Sequence, residues 1–348
     1  MAALANAWSE RGWEIEILTT HGNGEQTDYP LDPNVRHLPL ATTVGPGRQI
    51  RIIRDIRRHI SHRRPDFVVS FLVFTNILVL MATAGLGIPV FISERLDPRV
   101  KKIGKIWHSL RRLTYPLATR LIAQTPTAAR LFEPWVPGRV RVIPNPVFPQ
   151  AEQPGQNEIV HFDRPTILCM GRLMWQKGFD IALEAVALLP ASCNEWQLIV
   201  LGEGPLRQDL EAQRNRLGLT NRVQFQGRVK NPWPWLRAAD LFLLPSRTEG
   251  FPNALCEAMA AGLPVASTDC PSGPADIIQD GTDGILIPVS DPAAMATALA
   301  DLIGSEEKRA GLGSLAPRIV DRFSLSSVLE LWDHNFAEIS KINNPDLS

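Results

Sequence analysis

The sequence predicts an α/β protein built from two Rossmann-like parallel-sheet domains that face each other, and three observations predict it. Short β-branched and aromatic runs alternate with helix-like stretches along almost the whole chain, the pattern of repeated strand-helix-strand units. Runs such as Leu241-Phe242-Leu243-Leu244 are apolar at every position, as strands covered on both faces are. The alternation is interrupted near the middle by a stretch rich in Pro, Gln and Glu that lacks a period and reads as a linker. A chain of 348 residues is long enough for two cores. The expected division is a first domain at 1–148, a linker at 149–165, a second domain at 166–320 and a helix at 321–348 that packs back toward the first.

Taken in order, the chain opens on a helix whose apolar positions Ala3, Leu4, Ala7 and Trp8 share a face, then Gly12 and a strand from Glu14 to Leu18. A basic helix near Ile50 to His62 leads to a strand at Phe67, a helix at Thr75, a strand at Val90, a second basic helix near Ile103 to Leu113 and a strand from Leu121 to Ala123. Thr125-Pro126-Thr127 has the make-up of a helix start, and Val140 to Ile143 is a further strand. Beyond the linker, strands are expected at Thr166–Met170, Gln197–Leu201, Val223–Phe225, Leu241–Leu244, Pro264–Ser267 and Gly284–Ile287. Helices near Phe179, Pro205, Pro232, Asn253 and Pro274 separate them, and helices run to the end.

Overall neutrality conceals a split. Residues 1–150 hold 20 Lys and Arg against 11 Asp and Glu, a net of +9, whereas residues 151–348 hold 16 against 25, a net of −9. The excess is concentrated in two clusters, Arg48 to Arg64 and Arg99 to Arg112, which suit an anionic surface. No aromatic residues are interleaved with these arginines, so a nucleic acid partner is not expected. Residues 67–93 carry no charge, but Gly85-Leu86-Gly87-Ile88-Pro89 breaks the stretch into strand, helix, turn and strand, which argues against a membrane span. Four scattered cysteines, with no C-x-x-C pair, argue against a disulfide frame or a zinc site and fit a reducing compartment. His59 and His62 are at helical spacing, yet among so many arginines they read as a solvated face, and Trp233 and Trp235 read as core.

The most informative stretch is Pro245-Ser246-Arg247-Thr248-Glu249-Gly250-Phe251-Pro252-Asn253-Ala254-Leu255-Cys256-Glu257. It reads as the end of a strand, a tight turn and a helix, with Pro252 suited to the first helical turn and Gly250 to a close backbone approach. Free N–H groups at such a helix start attract an anion, and Glu249 and Glu257 can grip hydroxyl groups on either side of it. A phosphate between hydroxyl-bearing groups describes a nucleotide sugar. Gly171-Arg172 and Lys177-Gly178 lie in the loop after the second domain's first strand, where ligands bind in open sheets. Arg172 and Lys177 are placed there to pinch an anion, and Gly202-Glu203-Gly204 follows the next strand. A dinucleotide fingerprint beginning at Gly202 fails, because its third glycine would fall at Arg207.

Together these motifs resemble the retaining glycosyltransferases of family 4, which have the two-domain GT-B fold. Ile92-Ser93-Glu94-Arg95, Ile143-Pro144-Asn145-Pro146 and Pro271-Ser272-Gly273-Pro274 further resemble a bacterial subgroup that includes amylovoran-type transferases and N-acetylgalactosaminyltransferases acting on lipid-linked oligosaccharides. The resemblance implies that Arg172 and Lys177 bind the donor diphosphate, Glu249 holds the donor sugar and Glu257 the ribose. Gly171, Glu203, Gly250, Phe251, Pro252, Asn253, Ala254 and Leu255 would complete the donor site, and Glu94, Arg95 and Asn145 would lie on the sugar or acceptor side.

No cofactor is expected, and with no Asp-x-Asp in the chain no essential metal either. The donor is expected to be a UDP-sugar and the acceptor a lipid-linked saccharide, used by a cytoplasmic protein peripheral to the inner face of the cell membrane. Family members usually begin with a strand and a Gly-Gly turn before the first helix; this sequence starts at that helix. The expectation is therefore either a start upstream of Met1 or a non-catalytic, transferase-like partner.

Overall fold

The computed structural model describes residues 1–20, 30–40, 47–95, 103–149 and 158–343. In the N-terminal half, helix α1 (Ala2–Glu10) precedes strands β1 (Glu16–Thr19) and β2 (Arg36–Pro39), which pair in parallel as a two-stranded sheet. Strand β2 was not expected. Its exposed, charged sequence carries no strand signal of its own, and it is held by β1 and by ion pairs from Arg36 to Glu14 and Glu16. A four-stranded parallel sheet follows, in the order β3 (Val68–Phe71), β4 (Val90–Ser93), β5 (Arg120–Ala123) and β6 (Val140–Val142).

Helices α2 (Arg48–Arg63), α3 (Val73–Thr83), α4 (Lys105–Thr114) and α5 (Pro126–Phe132) cover one face of that sheet. Alternation along each strand divides the side chains: Val68, Val90, Ile92 and Leu121 turn to these helices, and Val69, Phe91 and Ile122 to the opposite face.

The C-terminal half is a six-stranded parallel sheet. Its strands are β7 (Thr166–Met170), β8 (Gln197–Leu201), β9 (Val223–Gly227), β10 (Leu241–Leu244), β11 (Val265–Thr268) and β12 (Ile285–Ile287), in spatial order β12-β11-β10-β7-β8-β9. Helices α6 (Phe179–Ala187), α7 (Arg207–Arg216) and α11 (Pro292–Gly304) bury Ile167, Leu198 and Leu243 on one face. On the other, α8 (Trp233–Ala238), α9 (Asn253–Ala260), α10 (Pro274–Ile277) and α13 (Ile319–Arg322) bury Leu168, Ile199 and Phe242. Helix α12 (Glu306–Leu315) packs on α11 and is capped by the Ser305 hydroxyl.

The last helix, α14 (Leu325–Asn343), turns Val328, Leu329, Trp332, Phe336 and Ile339 to one stripe and lays it on α1 and the free face of the N-terminal sheet. Trp332 meets Trp8 edge-on at 5.9 Å between ring centroids, Phe336 stacks on Phe67 at 4.7 Å, and Glu338 pairs with Arg120 at 3.1 Å. The aromatic packing closes the second face of the N-terminal sheet with a helix from the far end of the chain. Among the described residues, no helix is long and apolar enough to cross a membrane.

Candidate active site

In the C-terminal sheet the strand order reverses between β7 and β10, and the crevice at the carboxyl ends of two such strands is where open α/β sheets bind ligands. Two of the residues singled out from the sequence, Lys177 and Glu249, meet at this point. Lys177 leaves the short helical turn after β7 and donates from Nζ to Glu249 Oε1, in the loop after β10, at 2.7 Å. Glu249 Oε1 also accepts from the Ser246 hydroxyl at 2.6 Å, and its side chain is almost fully buried. The Lys177 stem passes 3.4 Å from where a side chain on Gly171 would begin, so Gly171 and Lys177 share one wall.

Two glycines make the close fit possible. A Cβ on Gly178 would lie 2.0 Å from the Pro245 carbonyl oxygen, so only glycine lets the β7 loop reach the β10 end, and its φ of +64° is one glycine readily adopts. A Cβ on Gly273 would come within 3.0 Å of Pro252 and 3.4 Å of Glu249, so the loop after β11 closes on the turn at Glu249 only at a glycine, with φ +146°.

Pro252 is the N-terminal cap of α9 and Asn253 its first residue, while Gly250 and Phe251 form the turn before it. The two carboxylates are therefore not on one continuous helix, because Glu249 lies before the cap and only Glu257 is within α9. Leu255 and Cys256 on α9 are core residues, Ala254 is half-buried and Asn253 is exposed. Glu257 is half-buried and has no hydrogen-bond or ion-pair partner among the described residues; burial pushes its carboxyl up to about 7. Arg172 is exposed and likewise unpartnered. Glu203 is engaged by Arg207 at 2.7 Å and is half-exposed. Cys270 lies within electrostatic reach of Glu249 and Lys177, and burial pushes its thiol up to about 12.

On the opposite side of the cleft, Glu94 and Arg95 follow β4 and diverge. Glu94 is buried against Arg111, 3.0 Å away, and accepts a hydrogen bond from the Tyr115 hydroxyl. The Arg111 guanidinium sits over the rings of Tyr115, Phe132 and Trp135 at 5.1, 5.1 and 4.8 Å. Arg95 instead donates to Asn145 Oδ1, with its guanidinium 4.8 Å above the Phe71 ring, and desolvation lowers its pKa to about 10. Asn145 Nδ2 then donates to Asn253 Oδ1 at 2.8 Å, so Arg95 and Asn145 reach the first residue of α9.

A second bridge crosses the same cleft, where the Thr127 hydroxyl donates to Asp276 Oδ1 at 3.1 Å. All five bridging residues follow carboxyl ends of strands, so the two sheets face each other across these edges.

Sequence reading missed four contributors. Ser246 fixes Glu249, and Thr268 donates to the Ser246 carbonyl oxygen from the neighbouring strand. Arg247 makes a two-point ion pair with Asp180 and holds the β7 and β10 loops together through the Trp175 and Gln176 carbonyls. The signal available for these was a hydroxyl or a charge at a strand end, which is common and unspecific. His59 is taken up by Glu16 at 2.8 Å, Trp233 is core, and Trp235 packs on Phe162. Among the described residues no group of three His, Cys, Asp or Glu could hold a metal ion.

Residues 164–305 match the family described as Glycosyl transferases group 1, and residues 1–146 match the Glycosyl transferase 4-like domain. The chain is 31% identical over 290 residues to the Campylobacter jejuni GalNAc-alpha-(1->4)-GalNAc-alpha-(1->3)-diNAcBac-PP-undecaprenol alpha-1,4-N-acetyl-D-galactosaminyltransferase, covering 82% of this chain and 78% of that one. Among solved structures it is similar to a Thermosynechococcus elongatus sucrose-phosphate synthase, with a TM-score of 0.83, 19% identity and coverage of 97% and 92%. It is also similar to Anabaena Alr3699/HepE in complex with UDP, with a TM-score of 0.74, 18% identity and coverage of 88% and 87%. These likenesses carry the GT-B fold.

Proposed function

This chain belongs to the group 1 glycosyltransferases, and from that premise we propose that it moves a sugar from a UDP-sugar to a lipid-linked saccharide, with retention at the anomeric carbon. The observation that carries the reading is the buried contact of Lys177 with Glu249 at the β7–β10 crevice. The Campylobacter relative, whose printed acceptor is a polyprenyl diphosphate saccharide, supports the acceptor class, and the UDP complex of the Anabaena protein supports the donor base.

Arg172 and Lys177 take the donor diphosphate, Glu249 accepts hydrogen bonds from the sugar hydroxyls, and Glu257 accepts from the ribose diol. Gly171, Glu203 and the backbone from Gly250 through Pro252 to Asn253 and Ala254 line the donor, held in place by Phe251 and Leu255 in the core beneath. Arg95 and Asn145 stand on the sugar side, while Glu94 is turned into the core against Arg111 and Tyr115.

The chemistry follows from where charge develops. The acceptor oxygen bonds to the anomeric carbon as the bond from that carbon to the phosphate oxygen breaks, on the same face of the sugar. The acceptor proton passes to the departing phosphate, and the pair of cations stabilises the charge gathering there without moving. No side chain is asked to act as the base, and the reading includes no essential metal. The basic N-terminal half brings the protein to an anionic membrane surface, where the acceptor lies.

Purified protein given tritiated UDP-sugars and a lipid-linked acceptor is expected to yield labelled product, and Glu249→Ala and Lys177→Ala to abolish it. Full turnover in both variants would overturn the site assignment.

A further inference from the structure

Helix α4 carries an outward stripe that the fold leaves uncovered. Ile106, Leu113 and Leu117 are 76%, 73% and 55% exposed. They are seven and four residues apart, so on a helix they fall within roughly 40° of one another, with Leu117 in the helical turn that continues α4. Exposed apolar side chains scattered singly need no explanation, but three aligned along one helix do.

The side of α4 turned to the core carries the buried Arg111 and Thr114 and the partly buried Trp107, and Leu110 lies at the border between that side and the stripe. Lys105 and Arg112 flank the stripe on the exposed side, and neither meets an acid among the described residues. Helix α3 packs against α4 and shows Met81 outward, 37% exposed. Beyond it α2 exposes Arg54 and Arg58, which also have no acidic partner among the described residues. The outer layer of the N-terminal half is therefore an apolar line on one helix, flanked and followed by cations that meet no acid among the described residues.

We propose that this α2–α3–α4 face is a monotopic membrane-docking surface, in which Ile106, Leu113 and Leu117 enter the acyl boundary of an anionic bilayer while Lys105, Arg112, Arg54 and Arg58 meet its headgroups. Charge complementarity selects this occupant. A second copy of the chain would bring the same cations together, whereas an anionic leaflet offers a negative potential to every one of them. Apolar insertion and cation contact are the two signals that stable peripheral binding requires, and one helix supplies both.

The face is on the helical layer of the N-terminal sheet, so docking leaves the cleft between the two sheets open. The proposal rests on the membrane-side reading above for its purpose, but vesicle binding requires neither donor nor acceptor, so the two can fail separately.

The test uses the full chain in co-sedimentation with vesicles of 70% phosphatidylcholine and 30% phosphatidylglycerol, and with pure phosphatidylcholine vesicles. The wild-type protein is expected to bind the anionic vesicles and to lose most of that binding on pure phosphatidylcholine or in high salt. Ile106→Ser with Leu113→Ser is expected to lower the partition coefficient about tenfold per residue. Lys105→Gln with Arg112→Gln is expected to lower it about fivefold per charge and to weaken its salt dependence.

Both double variants are expected to melt as the wild type does and to keep turnover on a water-soluble acceptor analogue, which separates docking from folding and from the active-site reading. Wild-type protein that ignores anionic vesicles would overturn the proposal. So would an apolar double variant that binds them undiminished, or one whose change is a shift from dimer to monomer with vesicle binding intact.

Discussion

Lys177 is assigned two tasks: holding Glu249 in the ligand-free protein and meeting the donor diphosphate during transfer. A double-mutant cycle separates them. Glu249 is 8% exposed and Lys177 23%, with 2.7 Å between their charged atoms. Removing one partner of a fully buried pair costs about 3–5 kcal/mol, because the other is left as an uncompensated charge. Lys177 is partly exposed and Ser246 remains as a donor to Glu249, so Lys177→Met is expected to cost at the lower end, about 3 kcal/mol.

At roughly 2 °C per kcal/mol in a chain of this size, Tm falls by about 6 °C. Glu249→Gln leaves a partly solvated ammonium that keeps a neutral acceptor and costs about 1 kcal/mol. The double variant removes both charges and is expected to recover about 2 kcal/mol relative to the sum of the single losses. Turnover behaves differently. Loss of one fixed donor to developing charge lowers kcat by about 100- to 1,000-fold, so the double variant is expected to be as inactive as either single one. Differential scanning calorimetry reads the first quantity and a single-turnover assay the second. Additive Tm losses would show that Lys177 does not hold Glu249, and a double variant that regains turnover would show that the pair is structural alone.

Two further predictions concern protonation and closure. Because burial raises the Glu257 carboxyl to about 7 in the folded protein, against an ordinary value of 4.5, the folded state holds that proton more tightly than the unfolded chain. The contribution of this group to stability is therefore lost as pH rises from about 4.5 through 7. Denaturant titrations of Glu257→Gln across that range are expected to show a flatter pH dependence, and an unchanged slope would refute the placement. The Thr127–Asp276 bridge ties the two sheets across the cleft through two hydrogen bonds from the Thr127 N–H and hydroxyl to the Asp276 carboxylate, worth about 1–3 kcal/mol. Thr127→Val with Asp276→Ala is expected to increase the radius of gyration measured by small-angle scattering in ligand-free protein. An unchanged scattering curve would mean that the bridge does not restrain the halves.

The strands of both sheets could be read locally wherever burial on two faces makes a continuous apolar run, as in β4 or β10, whose every residue is buried. β2 could not be read this way. Its sequence, Arg-His-Leu-Pro, has the composition of a turn, and it is a strand because β1 offers an unpaired edge and Glu14 and Glu16 offer partners for Arg36. Glu94 and Arg95 show a second limit. The sequence reading puts both of these adjacent residues on the sugar or acceptor side, but alternation sends one into the core and the other to the cleft. The Glu94 side can be decided only by knowing that Arg111 is buried there, a contact no local pattern encodes.

The site depends most on the part that was least visible. Lys177 and Glu249 meet because β7 and β10 are neighbours, although β8 and β9 lie between them in the chain. That adjacency arises because the crossovers build outward from β7 through β8 and β9, then return to its free edge with β10. Right-handed crossovers favour this arrangement without any one residue specifying it. A motif in the β10 loop therefore signals a ligand only in a fold that brings the β7 loop beside it, and Gly178 is the residue whose missing side chain permits that approach. The glycine pattern thus carries as much of the functional assignment as the charged residues do, because it fixes which two loops can touch.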